Sequence, residues 1–282
     1  MRVRFFGVRG SIPVPGPSTV RYGGNTVCVE VTLADDTRIV LDAGSGIREL
    51  GKQLALEGYR APIHLFITHG HWDHIIGLPF FGPVYDPTAV LVLHAMSAKM
   101  AERQRSPILF DGDHFPVRFA DLPAKIHHAD DTGAHRVGSA NIARVKLNHP
   151  GGAVGYRIDD DDGTSLCYLT DNELAPPGEV TTTPAELARF ADGASLMIHD
   201  AQYLATDMPA KHGWGHSVVD QVLALARDAS VRAVALHHHD PDRDDDALDG
   251  IATGARVWAD ANAPALTTLV AREGLVMELP RP

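Results

Sequence analysis

Thr68-His69-Gly70-His71-Trp72-Asp73-His74-Ile75-Ile76-Gly77 crowds the metal-competent side chains His69, His71, Asp73 and His74 into one short turn. The run before it, Ile63-His64-Leu65-Phe66-Ile67, is apolar and rich in β-formers, so it reads as a buried strand. The cluster therefore lies in the loop at a strand's end, where a rigid scaffold usually carries its chemistry. His69 and His71, two apart, can converge on one metal. Asp73 and His74, adjacent in the turn, are better placed for a second. The plain alternative is a polar loop that happens to be rich in histidine.

Working outward, the same arrangement recurs. Apolar strands end in His or Asp at Leu147-Asn148-His149, Leu169-Thr170-Asp171, Ile198-His199-Asp200 and Leu236-His237-His238. One histidine at one strand end is an ordinary surface residue. Together these ends describe one edge of a sheet assembly that holds a site. Imidazoles mixed with carboxylates suit zinc, and manganese or iron less well. A carboxylate can bridge two metals, and such pairs bind a hydroxide nucleophile at neutral pH.

The remaining chain reads as alternating strands and helices. Arg2 to Gly7 is a strand, and Gly7 to Pro17 is a Gly/Pro loop. Its Gly-Val-Arg-Gly-Ser lacks the Gly-Lys-Ser/Thr ending of a phosphate-binding loop, so a turn is the better reading. Thr26 to Leu33 and Thr37 to Leu41 form a hairpin around Asp35-Asp36. Asp42 then precedes an amphipathic helix, Ile47 to Leu56, and either caps it or orients a metal ligand. Ile75 to Phe81 reads as a short helix, and Ala89 to His94 as a strand. Ala95 to about Ala120, with a helical piece at Met96 to Arg105, looks like a lid insertion within a single domain spanning 1–282. His114 in it reads as facing solvent. Asn141 to Leu147 is a strand. The acidic run Asp159 to Asp162 with Gly163 joins Ala153 to Ile158 and Thr164 to Thr170 as a hairpin turn, not a calcium loop. Pro184 to Phe190 is a helix and Ser195 to Ile198 a buried strand. Ser217 is placed to cap a helix from Val218 to Asp228. Val231 to Leu236 is a strand, a further helix opens at Asp242 to Asp246, and Leu266 to Val270 and Leu275 to Leu279 close the chain.

Composition narrows the function. A chain of 282 residues with 44% hydrophobic and 22% charged residues is that of a soluble globular protein. The formal net charge of −11 argues against a general nucleic-acid or anionic-membrane binder. It leaves room for an anionic substrate, because a metal pair reverses the local field. Cys28 and Cys167 lie in apolar strand-like runs and read as small core residues in a reducing compartment. No stretch approaches a membrane span and no signal peptide is seen, so the expected location is cytoplasmic.

Thr-His-Gly-His-Trp-Asp-His resembles the His-x-His-x-Asp-His signature of the metallo-β-lactamase superfamily, and the downstream partners follow in that family's order. The resemblance covers nearly the whole chain and implies an α/β four-layer αββα sandwich with two divalent metals at one edge of the paired sheets. It implies that His69, His71 and His149 hold the first metal, that Asp73, His74 and His238 hold the second, and that Asp171 bridges them. His238 is preferred over His237 and His239 because the branch resembled carries its ligand two residues after the strand's last apolar residue, here Leu236. Strand alternation also puts His238 on the opposite face from the other two.

Ile198-His199-Asp200-Ala201-Gln202 followed by Gly215-His216-Ser217 is similar to the ribonuclease Z and phosphodiesterase branch. That likeness implies a catalytic set of Asp73, Asp200 and His216, in which Asp200 orients His216 and His216 protonates the leaving oxygen. A loop histidine beside a helix is the plainer reading of His216. Arg9-Gly10-Ser11-Ile12-Pro13 and Tyr22-Gly23-Gly24-Asn25-Thr26 resemble a subgroup that includes members cleaving cyclic phosphodiesters. The sequence departs from ribonuclease Z in lacking a long basic Gly/Pro-rich arm, and its acidic balance disfavours a tRNA grip. The expectation is a metal-dependent phosphodiesterase acting by metal-hydroxide attack on a small diester such as a cyclic nucleotide, with no membrane partner and a homodimer allowed. The alternatives are tRNA 3′-end processing or hydrolysis of a lactone, ester or thioester on the same scaffold.

Overall fold

The first strand, β1 (Arg2–Gly7), alternates in burial, packing Val3 and Phe5 inward while Arg2 and Arg4 stay half-exposed. β2 (Cys28–Thr32) and β3 (Arg38–Leu41) are covered on both faces. They form the expected hairpin, and Asp36 takes a left-handed turn conformation between them. The computed structural model describes residues 1–94, 108–110, 112, 115–129 and 134–281. The helical piece at Met96 to Arg105, most of the expected lid, and His114 lie outside these.

Two seven-stranded sheets result. The first runs β14-β1-β2-β3-β4-β5-β6, with β4 (Ile63–Phe66), β5 (Val90–His94), β6 (Lys125–Ala129) and β14 (Val276–Glu278). The second runs β13-β12-β11-β10-β9-β8-β7. Its strands are β7 (His135–Val137), β8 (Ala140–Leu147), β9 (Ala153–Asp160), β10 (Ser165–Leu169), β11 (Leu196–Asp200), β12 (Ala233–His237) and β13 (Thr267–Val270). Both sheets follow one plan. Pairing is antiparallel up to β3 in one and β10 in the other, and parallel beyond. Most of the chemistry comes from the C-terminal ends of strands at and beyond these two switch points, the usual address of ligands in parallel sheets, and His149 joins it from the end of β8 in the antiparallel part.

The sheets pack face to face through Phe5, Val31, Ile39, Leu41 and Phe66 against Tyr156, Leu166, Tyr168 and Ile198. On the outside of the first sheet, α1 (Ile47–Leu56) buries Ile47, Leu50 and Leu54 over Val40, Leu65 and Leu91. On the outside of the second, α3 (Pro184–Ala191), α4 (Val219–Asp228) and α5 (Asp245–Asn262) cover Cys167, Leu169, Met197 and Val234. This is the αββα sandwich. β10 shows why its strands look uniformly apolar in sequence. Leu166 and Tyr168 face the other sheet, Cys167 and Leu169 face the helices, and all are buried. Cys28 and Cys167 are free and buried.

Some local readings need correction. The helix expected at Ile75 to Phe81 is instead α2 (Trp72–Ile75) followed by 3-10 turns at Leu78–Phe80 and Gly82–Tyr85. Pro79 and Pro83 have no N–H to continue an α-helical ladder. Ser217 caps nothing. The N-cap of α4 is Val218, which has no side-chain cap. The Ser217 hydroxyl instead donates to the Asn172 carbonyl and accepts from the Leu174 N–H. The polar edge strand β6 and the three-residue β7 went unread. Among the described residues no helix is long and apolar enough to cross a membrane.

Candidate metal centre

Three strand ends turn abruptly to present their side chains. Asp42 after β3, Asp171 after β10 and His238 after β12 all have left-handed backbones, with φ of 61°, 58° and 59°. Non-glycine residues in this region carry strain that the surrounding structure must hold, and such residues gather at functional sites. The turn after β4 is fixed by α2. His71 is its N-cap, in extended conformation, and Asp73 and His74 lie within the helix.

These ends converge. His69, His71, His149 and Asp171 form one group in which one nitrogen or carboxylate oxygen from each residue lies within 4.8 Å of the others. Asp73, His74, Asp171 and His238 form a second, and Asp171, Asp200, His216 and His238 a third. Asp171 belongs to all three. Its Oδ2 is 3.5 Å from both His69 Nε2 and His149 Nε2, and its Oδ1 is 3.1 Å from His74 Nε2 and 3.0 Å from His238 Nε2. Every residue expected at the site is therefore brought to one place. The three consecutive histidines part ways. His238 faces Asp73 and Asp171, while His237 Nε2 meets the Gly7 carbonyl and His239 Nε2 meets the Ala271 carbonyl.

The donor set fits divalent cations. The Nε2 atoms of His69 and His74 are buried and make no hydrogen bond, although they point into the cluster. His71 Nδ1 and His149 Nε2 face each other at 3.1 Å. Two nitrogens held about 2.05 Å from one tetrahedral zinc would be roughly 3.3 Å apart. The far side of three rings is engaged. His74 Nδ1–H donates to Asp42 Oδ2 at 2.9 Å, His149 Nδ1–H to the Gly215 carbonyl at 3.0 Å, and His238 Nδ1–H to Gln202 Oε1 at 2.8 Å. That pattern fixes the tautomer and leaves Nε2 to bind a cation.

Asp42 thus orients His74, and the N-cap of α1 is Gly46 instead. Wholly buried, Asp42 also accepts from the Thr68 N–H and hydroxyl and from the Tyr168 hydroxyl, which reaches across from β10. Asp42→Ala should weaken metal binding by roughly 10- to 100-fold. Competition against a chelator checks this, and an unchanged affinity would refute the orienting role.

Burial pushes His69 well below its ordinary value, with His74 adding to the effect, and burial likewise lowers His149, so both stay neutral. Burial also opposes charge on Asp73, but His74 and His238 hold it well below the carboxylate range. His74 is the exception among the imidazoles. Burial works against its charge, yet Asp171, Asp73 and Asp42 hold it well above its ordinary value. A cation binding there replaces that proton.

His216 stands beside this group and is buried. Its Nδ1–H donates to Asp200 Oδ2 at 2.7 Å, and its ring stacks on His238 at 4.9 Å. Burial works against its charge, but Asp200, reinforced by Asp171 and Asp73, pushes its pKa up to about 9. Cations bound alongside would bring this down toward the range useful for an acid. His216, Asp73, Asp171, His71 and His238 line a cavity of about 390 Å³ with Ser11 and Trp72 at its mouth.

Several supporting residues escaped sequence reasoning. Glu173, two residues past Asp171, accepts from the N–H groups of Gly213 (2.9 Å) and Gly215 (2.9 Å). It thereby holds the turn whose carbonyl orients His149. A Cβ on Gly215 would lie 2.3 Å from His149 Nδ1, and its φ is +90°, so only glycine serves. A Cβ on Gly10 would lie 2.4 Å from the His238 ring. Arg9, buried beside it, donates to the carbonyls of Gly23, Asp240 and Arg243, and the Ser11 N–H donates to Asp73 Oδ2 at 2.8 Å. The Arg9-Gly10-Ser11 run is therefore part of the wall of the site. Gln202 offers no signal in sequence, because an amide two residues after a strand is commonplace.

A sandwich of two sheets with histidines and aspartates converging at one edge defines a metal-dependent hydrolase fold. The model of the β-lactamase superfamily domain matches residues 37–239, and the chain belongs to that superfamily. Its relatives include a ribonuclease Z from Halobacterium salinarum, 23% identical over the whole of this chain and 98% of the relative. Among solved structures, the metallo-β-lactamase fold protein YhfI from Bacillus subtilis superposes with a TM-score of 0.70 at 17% identity, covering 98% of each chain. A diphosphatase from the PhnP family superposes with a TM-score of 0.67 at 21% identity, covering 99% of this chain and 98% of the other.

Proposed function

We propose that this hydrolase is a dinuclear metal-dependent phosphodiesterase acting on a small phosphodiester, with cyclic nucleotides as the natural example. His69, His71 and His149 would hold one metal, Asp73, His74 and His238 the other, and Asp171 both, with zinc favoured by the imidazole-rich donor set. When bound, such a pair neutralises phosphate charge and supplies a water-derived nucleophile at neutral pH. The protein's own residues do the rest. His216 delivers a proton to the leaving oxygen, and Asp200 holds its ring in the donating orientation. The observation that carries this reading is the His216–Asp200 pair, 2.7 Å apart on the wall of the cavity. A leaving alkoxide needs an acid, and a thioester hydrolase, whose thiolate leaves readily, has less use for one.

The likeness to ribonuclease Z along the full chain supports a second reading, cleavage at the 3′ end of tRNA precursors. The net charge of −11 weighs against it, since phosphate contacts dominate RNA binding. The free, buried Cys28 and Cys167 suit a reducing compartment such as the cytoplasm.

A turnover panel with the metal-loaded protein tests these readings. Cyclic mononucleotides, cyclic dinucleotides and a chromogenic diester should be cleaved, a tRNA precursor poorly and a lactone not at all. Activity confined to the lactone removes the phosphodiesterase, and a strong preference for the tRNA precursor favours the second reading.

A further inference from the structure

Trp72 sits between His71 and Asp73 and is 69% exposed. Its backbone is held firmly. It is the first residue of α2, and the Ile76 N–H donates to its carbonyl at 2.7 Å. Both neighbours in sequence face the metal centre, so the indole stands one residue from the chemistry at the mouth of the cavity.

The other two tryptophans have partners. The Lys211 ammonium lies 4.4 Å from the centre of the Trp214 ring, and the Arg227 guanidinium lies 5.8 Å from that of Trp258. Among the described residues no ring or cation lies over Trp72. A large apolar face is thus left bare where a substrate must pass. The cavity, about 390 Å³, is at the lower end of the range for small-molecule sites.

We propose that Trp72 is a stacking platform for a planar aromatic group attached to the scissile phosphodiester, of the kind a nucleobase supplies. The inference rests on the phosphodiesterase reading. With the phosphate between His216 and Asp171, a substituent directed out of the cavity passes the indole. A flat π-face discriminates little between bases, so the platform selects nucleoside diesters over base-free ones without choosing a purine or a pyrimidine.

The test compares wild type with Trp72→Ala and Trp72→Phe, each with its bound metal measured. Substrates are adenosine and uridine 2′,3′-cyclic phosphates, methyl riboside 2,3-cyclic phosphate, which lacks a base, and an aryl methyl phosphate, which carries a planar group that is not a base. Stacking of a base predicts that Trp72→Ala lowers kcat/KM for the two nucleotides by roughly 5- to 100-fold more than for the base-free riboside, mainly through KM, with Trp72→Phe intermediate. An aryl diester that suffers like the nucleotides shows that any planar group suffices, and one that suffers like the riboside shows that a base is needed. Equal losses on nucleotides and riboside overturn the proposal. Calorimetric titration with AMP separates this from the fate of the parent reading. If no diester is turned over, the phosphodiesterase fails. The platform still stands if AMP binds wild type at least 5-fold more tightly than Trp72→Ala, and it falls if the two affinities agree or AMP does not bind.

Discussion

Asp171→Ala should remove at least one of two metal equivalents per chain, read by elemental analysis after gel filtration, and with it nearly all hydrolytic activity. The reason is position. Among the described residues Asp171 is the one carboxylate within 3.5 Å of His69, His74, His149 and His238 together, so no described neighbour can replace it. Asp171→Asn keeps the shape and loses the charge, and it should fall between wild type and alanine in metal content. Retention of two tightly bound ions in the alanine variant would defeat the shared-ligand assignment. The same geometry sets the pH dependence of uptake. His74 holds a proton well above its ordinary range because Asp171, Asp73 and Asp42 outweigh the cost of its burial. Cations bind only the deprotonated ring, so metal affinity should rise with pH and loading should release protons into a weakly buffered solution.

His216→Ala should keep its metal and lose roughly 10²- to 10⁴-fold in kcat, the range for a missing general acid. The loss should shrink on diesters whose leaving group, such as nitrophenolate, needs no proton. Asp200→Asn should show a smaller loss of the same kind, since it leaves His216 in place with a poorer partner. The sign of the pH effect follows from the role. An acid works only while protonated, so activity should decline as pH rises through the His216 pKa. That value is pushed up to about 9 by Asp200 and lies lower with cations alongside. The alkaline limb of the rate profile should vanish in His216→Ala. A wild-type rate on a poor leaving group in that variant would sink the assignment.

Much of the site was readable in sequence because metal chemistry demands few residue types at strand ends, and those ends are marked by apolar runs. His69, His149, Asp171 and His238 all follow that rule. The resemblance then supplied the order and the proposed general acid. What could not be read has a common physical cause: it depends on contacts between distant backbones. The choice of Asp42 as an orienting residue, and not a helix cap, rests on where His74 arrives from 32 residues later. Glu173 acts through amide groups 40 or more residues away, and amides carry no side-chain signature. Gly10 and Gly215 matter for the space they leave to an imidazole. The edge strands β6 and β7 were invisible because one is polar and the other is three residues long.

The shared plan of the two sheets has a thermodynamic consequence. Asp42, His69, His71, Asp73 and His74 come from the first sheet, and His149, Asp171, Asp200 and His238 from the second. Neither sheet alone owns a complete set of ligands, so cation binding and sheet docking are linked equilibria. An ion that binds only the docked state at a free concentration 100 times its dissociation constant adds about 2.7 kcal/mol to that state. The metal centre is thereby a clasp across the sandwich as well as a place for chemistry, and chelation should loosen the seam between the sheets before it disturbs either one.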